Sequence, residues 1–572
     1  MSVFFNGRLI TTPTSASVVN DDAMRNKNLS VGNVLALVGR SAGGKPKTPL
    51  RFGTPEQATA QLVSGELLDA VLKAFDPSSE VGGPFEVVAL RVQPAVQSAL
   101  TLKGAGAVDV INLVSTDYGI RENLIKVKVE AGTLSGVRLT TQRGTAYYTR
   151  DNISRSAFSV RYAGAELTGT MVINGTQVIL SAPTGTPVAT IALSDFATMQ
   201  DLVDRINQVS NFSASVLDGN NTVATLNGLD FVSAVDVKTA VYVARADLQA
   251  AVDWLNAASE GFVTATRVAG AGLKPTAAGF AYLTGGSDGT TVTDDWAAAF
   301  EALQLVDVQW VSPVTSEAAI HAMADTHVAF MSNQGQKERR AVCGMAAGTS
   351  KADALLAAKA LNSDRTSLMY QGHYDYDATG KLVLYPAYMS AARVAGGFCG
   401  VNPGTPLTNK NFKCRGLEFD LRNPTDTDEL INGGILCLEN TEEGYKIVKS
   451  ISTWLTNDNY NRVEQSTGVA TDFTVRSVRQ ALKVLVGTKG NPLVLSRAIS
   501  ITESTLRELS RAEPEGPGVL AGDAANPPYK NIRAEFDGDV LRVSYQASPV
   551  IPVNYVLSTL YAVPYSGTAA AA

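Results

Sequence analysis

The sequence predicts a mixed α/β, multidomain chain: an α/β core, an inserted mostly-β outer domain, and extended β arms at both ends. Three observations carry this reading. First, the apolar run Val34-Leu35-Ala36-Leu37-Val38 is followed by helically spaced apolar residues at 57–75 and by a β-prone run at 85–92. Strand, helix and strand in that order make a parallel α/β unit. Second, between about 106 and 265 strand-like runs alternate with Gly, Asn and Thr turns. Third, the α/β alternation returns over about 280–420.

The elements follow in order. Residues 1–30 are an extended N-terminal arm: Val3, Phe4, Phe5, Leu9, Ile10, Val18 and Val19 are β-prone, with no turn and partner strand immediately after them. Residues 31–105 form the first part of the α/β core. Residues 106–265 form the inserted domain, with strands such as LIKVKVEAG and TMVINGTQVIL and helices at 198–206 and 247–258. Residues 266–424 are an α/β lobe, with helices at 296–305, 316–331 and 351–361 and strands at 306–311 and 341–345. Residues 425–550 are a C-terminal α/β domain with strands at 434–439, 445–451, 532–537 and 540–547 and a helix at 472–485. A last strand at 553–563 lies in the C-terminal arm and tail, 551–572.

Composition narrows the function classes. The 572 residues exceed what one core accommodates and imply about three to five lobes. Hydrophobic residues make up 45% and charged residues only 18%. The low charge fits either surface buried in an assembly or a large uncharged polar surface. Net charge is 48 − 54 = −6, without a basic block, which disfavours nucleic-acid binding. The N-terminus has no signal-peptide pattern, and no apolar run approaches a membrane span. Cys343, Cys399, Cys414 and Cys437 fit no zinc spacing and are expected to be buried thiols; a single disulfide stays open.

Motifs that could carry chemistry are weak. Gly39-Arg40-Ser41-Ala42-Gly43-Gly44-Lys45 has the GxxxxGK spacing of a phosphate-binding loop. The next residue is Pro46, which has no hydroxyl for magnesium. Pro46 and Pro49 together also oppose the helix such a loop must open. His321 and His327, six apart, sit about 240° apart on a helix and cannot share a metal. With His373 they are the only histidines, and they are expected to be surface or capping groups. The run 374–380 reads as a turn between two strands, and 285–289 as a turn into a helix with Thr293 as its cap. No catalytic, cofactor-binding or metal-binding residue is assigned.

Four stretches, in order, give the chain its likeness: VGNVLALVGRSAGGKPKTPLRFGTPEQA at 31–58, YGIRENLIKVKV at 118–129, the Leu283-to-Gly289 glycine turn with its following helix and strand, and 391–453 with the Arg476/Arg479 helix beyond it. Together they resemble the tail sheath proteins of contractile-tailed bacteriophages. In the second stretch Glu122 stands where the family pattern has Gly. The likeness covers most of the chain outside roughly 130–260.

The resemblance implies a structural subunit without a cofactor. Such subunits stack as six-fold rings around a tail tube protein and meet baseplate and terminator proteins. They sit in the virion tail after assembly in the host cytoplasm, without direct contact to nucleic acid or insertion into a membrane. Neighbouring subunits exchange arms, which places inter-subunit strand exchange at Val3, Phe4, Phe5, Leu9 and Ile10 at one end. At the other end it places it at Val553, Tyr555, Leu557, Leu560 and Tyr561. Contraction then drives the tube through the host envelope without nucleotide. The alternatives are the sheath of a contractile bacteriocin or secretion apparatus, a P-loop NTPase, and a β-rich fibre protein.

Overall fold

The computed structural model describes residues 3–5, 8–10, 33–226, 228–257, 261–565 and 567, with only the backbone described for residues 3–5 and 8–10. Its centre is a six-stranded sheet in the order Thr366–Met369, Arg340–Gly344, Trp310–Pro313, Val34–Gly39, Glu86–Arg91, Leu50–Phe52. The first five strands are parallel, and Leu50–Phe52 is an antiparallel edge. Every residue of Val34–Gly39 is buried, as a strand covered on both faces requires.

Alternate side chains feed two cores. Leu35, Leu37, Val87, Ala89 and Trp310 pack under the helices Glu66–Phe75 and Ala387–Gly400. Trp310 stacks on Phe398 with ring centroids 4.2 Å apart. Val34, Ala36, Val38, Val88 and Val311 pack under Thr293–Leu303, Ala318–Asn333 and Lys351–Leu361. The sheet is therefore doubly wound. It joins strands from the two regions of α/β pattern that flank the β-rich stretch.

The β-rich stretch is itself nested. A four-stranded sheet (Ala146–Ile153, Val137–Arg143, Ile125–Ala131, Ala278–Tyr282) and a three-stranded one (Val263–Arg267, Asp109–Ser115, Ala99–Lys103) share a core with the helix Asp247–Ala257. Within that unit, residues 156–245 form another core around Phe158, Met171, Leu180 and Leu202. Its helix, Met199–Asn207, begins in a capping box between Thr198 and Asp201. The Ala246 amide donates to the Arg155 carbonyl at 3.0 Å, so the chain leaves this unit beside where it entered.

The C-terminal part adds two long helices, Gln465–Leu482 and Pro492–Leu509, and the hairpin Tyr529–Asp537/Val540–Ala547 around Ala470, Phe473, Leu506 and Leu509.

Several expectations change. The helix expected at 57–75 is two helices, Pro55–Leu62 and Glu66–Phe75. Val63 (φ 67°) and Gly65 (φ 108°) interrupt it, and a Cβ at position 65 would lie 3.1 Å from the Ser41 Cα. Thr293 is the first residue of its helix rather than the cap; Asp295 accepts the Val292 amide at 2.8 Å instead. The strand expected at 553–563 does not form: 550–565 carries neither strand nor helix. At the other end Val3–Phe5 and Arg8–Ile10 pair antiparallel with each other, so these residues do have a local partner. The remainder of the expected N-terminal arm lies outside the described residues.

Candidate inter-subunit surface

The glycine-rich loop at 39–45 folds as a joint. The Ala42 and Gly43 amides donate to the carbonyls of Ser64 and Leu62, both at 2.9 Å. The Gly44 amide donates to Asp117 Oδ1 at 2.8 Å, so a carboxylate of the chain occupies the position an anion would need. A Cβ on Gly43 would fall 2.4 Å from the Gln61 carbonyl oxygen, which is why glycine stands there. Fully buried Arg91 donates to the carbonyls of Gly44 (3.2 Å) and Tyr118 (2.9 Å) and pairs with Asp288 at 2.8 Å. The loop thus ties the core sheet to both ends of the insertion. Lys45 points to solvent, and the chain runs on through Pro46 to the strand Leu50–Phe52 rather than into a helix.

The histidines correct another expectation: all three are buried. His321 Nε2 lies 2.9 Å from the Thr315 carbonyl. His327 lies 2.9 Å from the Arg339 guanidinium; burial and that cation push its pKa down to about 3. His373 Nδ1 meets Ser390 Oγ at 2.8 Å, and burial, then Arg393 and Lys73, hold its pKa well below the usual value. Burial would raise the neighbouring Asp375 carboxyl, but hydrogen bonds from Lys73 and Arg393 keep it far below the carboxylate range. This Ser–His pair is sealed in the core and faces no substrate. Among the described residues no His/Cys/Asp/Glu group could hold a metal, and the four cysteines are free thiols, three of them buried.

What the fold leaves open is the C-terminal tail and the hairpin beside its root. The Val550 amide donates to the Val519 carbonyl at 3.0 Å, Asn554 Nδ2 still donates to Glu464 Oε1 at 2.8 Å, and beyond Tyr555 every described residue of the tail is exposed. Val553, Tyr555, Val556, Leu557, Leu560, Tyr561, Val563 and Tyr565 are 74% to 96% exposed. A soluble chain does not normally hold eight large apolar side chains in water without a partner surface. The hairpin Tyr529–Asp537/Val540–Ala547 is a two-stranded sheet, so each strand presents an unpaired outer edge among the described residues. Beneath it, a cavity of about 1200 Å³ runs between the hairpin and the helix Gln465–Leu482, lined by Val475, Leu485, Val494, Phe536, Leu541 and Val543 among others.

Of the ten residues expected to exchange strands, Val553, Tyr555, Leu557, Leu560 and Tyr561 lie on this exposed tail. Val3, Phe4, Phe5, Leu9 and Ile10 lie in the small N-terminal hairpin. Among the described residues the two ends do not pair. The C-terminal hairpin was not among the residues singled out as a site from sequence, although the alternation in VLRVSYQA carries its signal: Leu541, Val543 and Tyr545 turn inward.

A chain with sealed polar clusters, a free apolar tail and an open sheet edge is a structural subunit built to join others. It is similar, along nearly its whole length, to phage proteins named tail sheath protein. It is 28% identical to the tail sheath protein of Bacillus phage SP01, over 99% of this chain and 98% of that one. It is 27% identical to the putative tail sheath protein of Enterococcus phage phiEF24C, over 96% and 97%. To the tail sheath protein of Staphylococcus phage Twort it is 24% identical, over 96% of each. Its fold matches the crystal structures of sheath tail proteins from Desulfitobacterium hafniense (TM-score 0.53, 10% identity, 94% of this chain and 100% of that chain) and Listeria innocua (TM-score 0.51, 12% identity, 92% and 97%). No protein-family model matches the chain. The relatives place the chain among virion tail components, structural rather than enzymatic.

Proposed function

We propose that this chain polymerises as stacked hexameric rings around a tail tube protein and contracts to drive that tube through the host envelope. The observation that carries the proposal is the exposed apolar tail leaving the body next to an open-edged hairpin. The tail of one subunit adds a strand to the hairpin of the next, where backbone hydrogen bonds give affinity and alternate side chains enter the cavity beneath. The N-terminal segment pairs with a neighbour in the same way, opening its local hairpin to do so. Burying eight large apolar side chains contributes on the order of 10 kcal/mol before the cost of association.

Contraction is a rigid-body rearrangement of linked subunits, with the energy held in interfaces. The loop at 39–45 supports a mechanism without nucleotide, because Asp117 already takes its Gly44 amide. Baseplate and terminator proteins would meet the two ends of the tube, in a tail assembled in the host cytoplasm. The full-length likeness to phage proteins favours a phage over a bacteriocin or secretion apparatus.

The test is deletion of 551–572 followed by sedimentation velocity. The expected result is a folded subunit that stays small at concentrations where the full chain forms long polymers. Polymers of normal length from the truncated chain would overturn the strand-exchange reading.

A further inference from the structure

One of the contacts at the root of the C-terminal tail, between Glu464 and Asn554, has an incomplete hydrogen-bond pattern. Glu464 sits at the junction of the short helix Tyr460–Val463 and the long helix Gln465–Leu482, and it is 2% exposed. Its backbone is fixed: its amide donates to the Tyr460 carbonyl at 2.9 Å, and the next amide donates to Ser450 at 3.2 Å. Asn554 Nδ2 donates to Glu464 Oε1 at 2.8 Å. Glu464 Oε2 and Asn554 Oδ1 are both buried and have no hydrogen-bond partner among the described residues.

Two buried acceptors left over from the same contact need one proton between them. A protonated Glu464 supplies it. Oε2–H then donates to Asn554 Oδ1 while Asn554 Nδ2–H donates to Oε1, and the acid–amide pair closes on itself. The competing partner is Lys449, whose Nζ lies 3.4 Å from Glu464 Oε1 and 5.7 Å from the centre of the Tyr555 ring. From the adjoining short helix, Arg462 is turned onto Trp454, 4.5 Å from its ring centre.

We infer that Glu464 and Asn554 form a proton-operated lock on the root of the C-terminal arm. Protonation closes the lock and fixes where the arm leaves the body. Ionisation hands Glu464 to Lys449 and frees the arm to turn. Burial raises the Glu464 pKa; Lys449 and the hydrogen bond that Asn554 donates to Oε1 oppose it without cancelling it, so the closed form outlasts an ordinary carboxylic acid as pH rises. The closed form is complete below the pKa of the released carboxyl. It is lost as pH rises through the higher pKa of the locked one. The inference rests on reading 551–565 as an arm.

The test is chymotrypsin cleavage within 551–565 in dilute, unassembled full-length chain between pH 5 and pH 8. The rate is divided at each pH by that of a free peptide of residues 548–572. The relative rate in the unsubstituted chain should rise at least about threefold from pH 5 to pH 8. Glu464→Gln, whose amide satisfies Asn554 at every pH, should hold the rate low throughout. Asn554→Ala should leave it high throughout. A pH-independent unsubstituted chain, or Glu464→Gln cleaved as fast as Asn554→Ala, overturns the lock. Because the readout needs no polymer, a chain that never assembles would sink the sheath proposal without deciding this one.

Discussion

At the scale of single residues, Asp117 does what a bound phosphate would do in a nucleotide site. It accepts the Gly44 amide at 2.8 Å and the Tyr118 amide at 2.9 Å. Asp117→Ala strands those donors and should cost about 1–3 kcal/mol in urea unfolding. Lys45→Ala should change neither stability nor ATP titration heats; loss of a binding signal in Lys45→Ala would revive the nucleotide reading. The buried histidines set an acid limit. All three are pushed below the ordinary pKa, and His327 to about 3, so the unfolded chain takes up protons first as pH falls below about 6.5. Their contribution is present above that pH and lost beneath it, by about 1.4 kcal/mol per pH unit for each histidine that stays neutral. Melting temperature should fall from pH 6.5 to pH 5, and His327→Gln should flatten the fall; an unchanged slope would contradict this. Pro46 and Pro49 were enough to reject a phosphate loop from sequence. Asp117 was not foreseeable, since it comes from 73 residues away. Nor was histidine burial, because Arg339 and the Lys73–Asp375–Arg393 cluster reach those sites only in the fold.

At the scale of elements, the helix Ala387–Gly400 shows how small residues set a packing distance. A Cβ on Gly396 would lie 2.2 Å from the Ala74 carbonyl oxygen, and one on Gly400 only 1.6 Å from that of Gly82. Gly396→Ala should therefore push this helix off Glu66–Phe75 and cost about 1–3 kcal/mol, measured by thermal melt against the unsubstituted chain. A substitution without effect would mean the helices are not in this contact. The same glycines lower helix propensity, which hid the element from a periodicity reading. Pro492–Leu509 was hidden by its β-branched Val494, Ile499, Ile501, Thr502 and Thr505. Elements with clean signals were legible: the apolar run at 34–38, the Lys351–Leu361 helix, and the two strands of the C-terminal hairpin.

At the scale of the whole molecule, the doubly wound core and its two-level insertion are closed structures with buried centres, whereas the C-terminal tail and hairpin edges are left unfinished. On the strand-exchange proposal, a neighbouring subunit completes both, and the tail's apolar pattern, which forms no strand here, becomes one on that neighbour's edge. Thermal unfolding of the body should accordingly be nearly insensitive to loss of the tail, and assembly should not. The most direct measurement is negative-stain electron microscopy of the purified full-length chain. The account predicts hollow, striated cylinders. A monodisperse globule that never polymerises, at any concentration or salt tried, would contradict it.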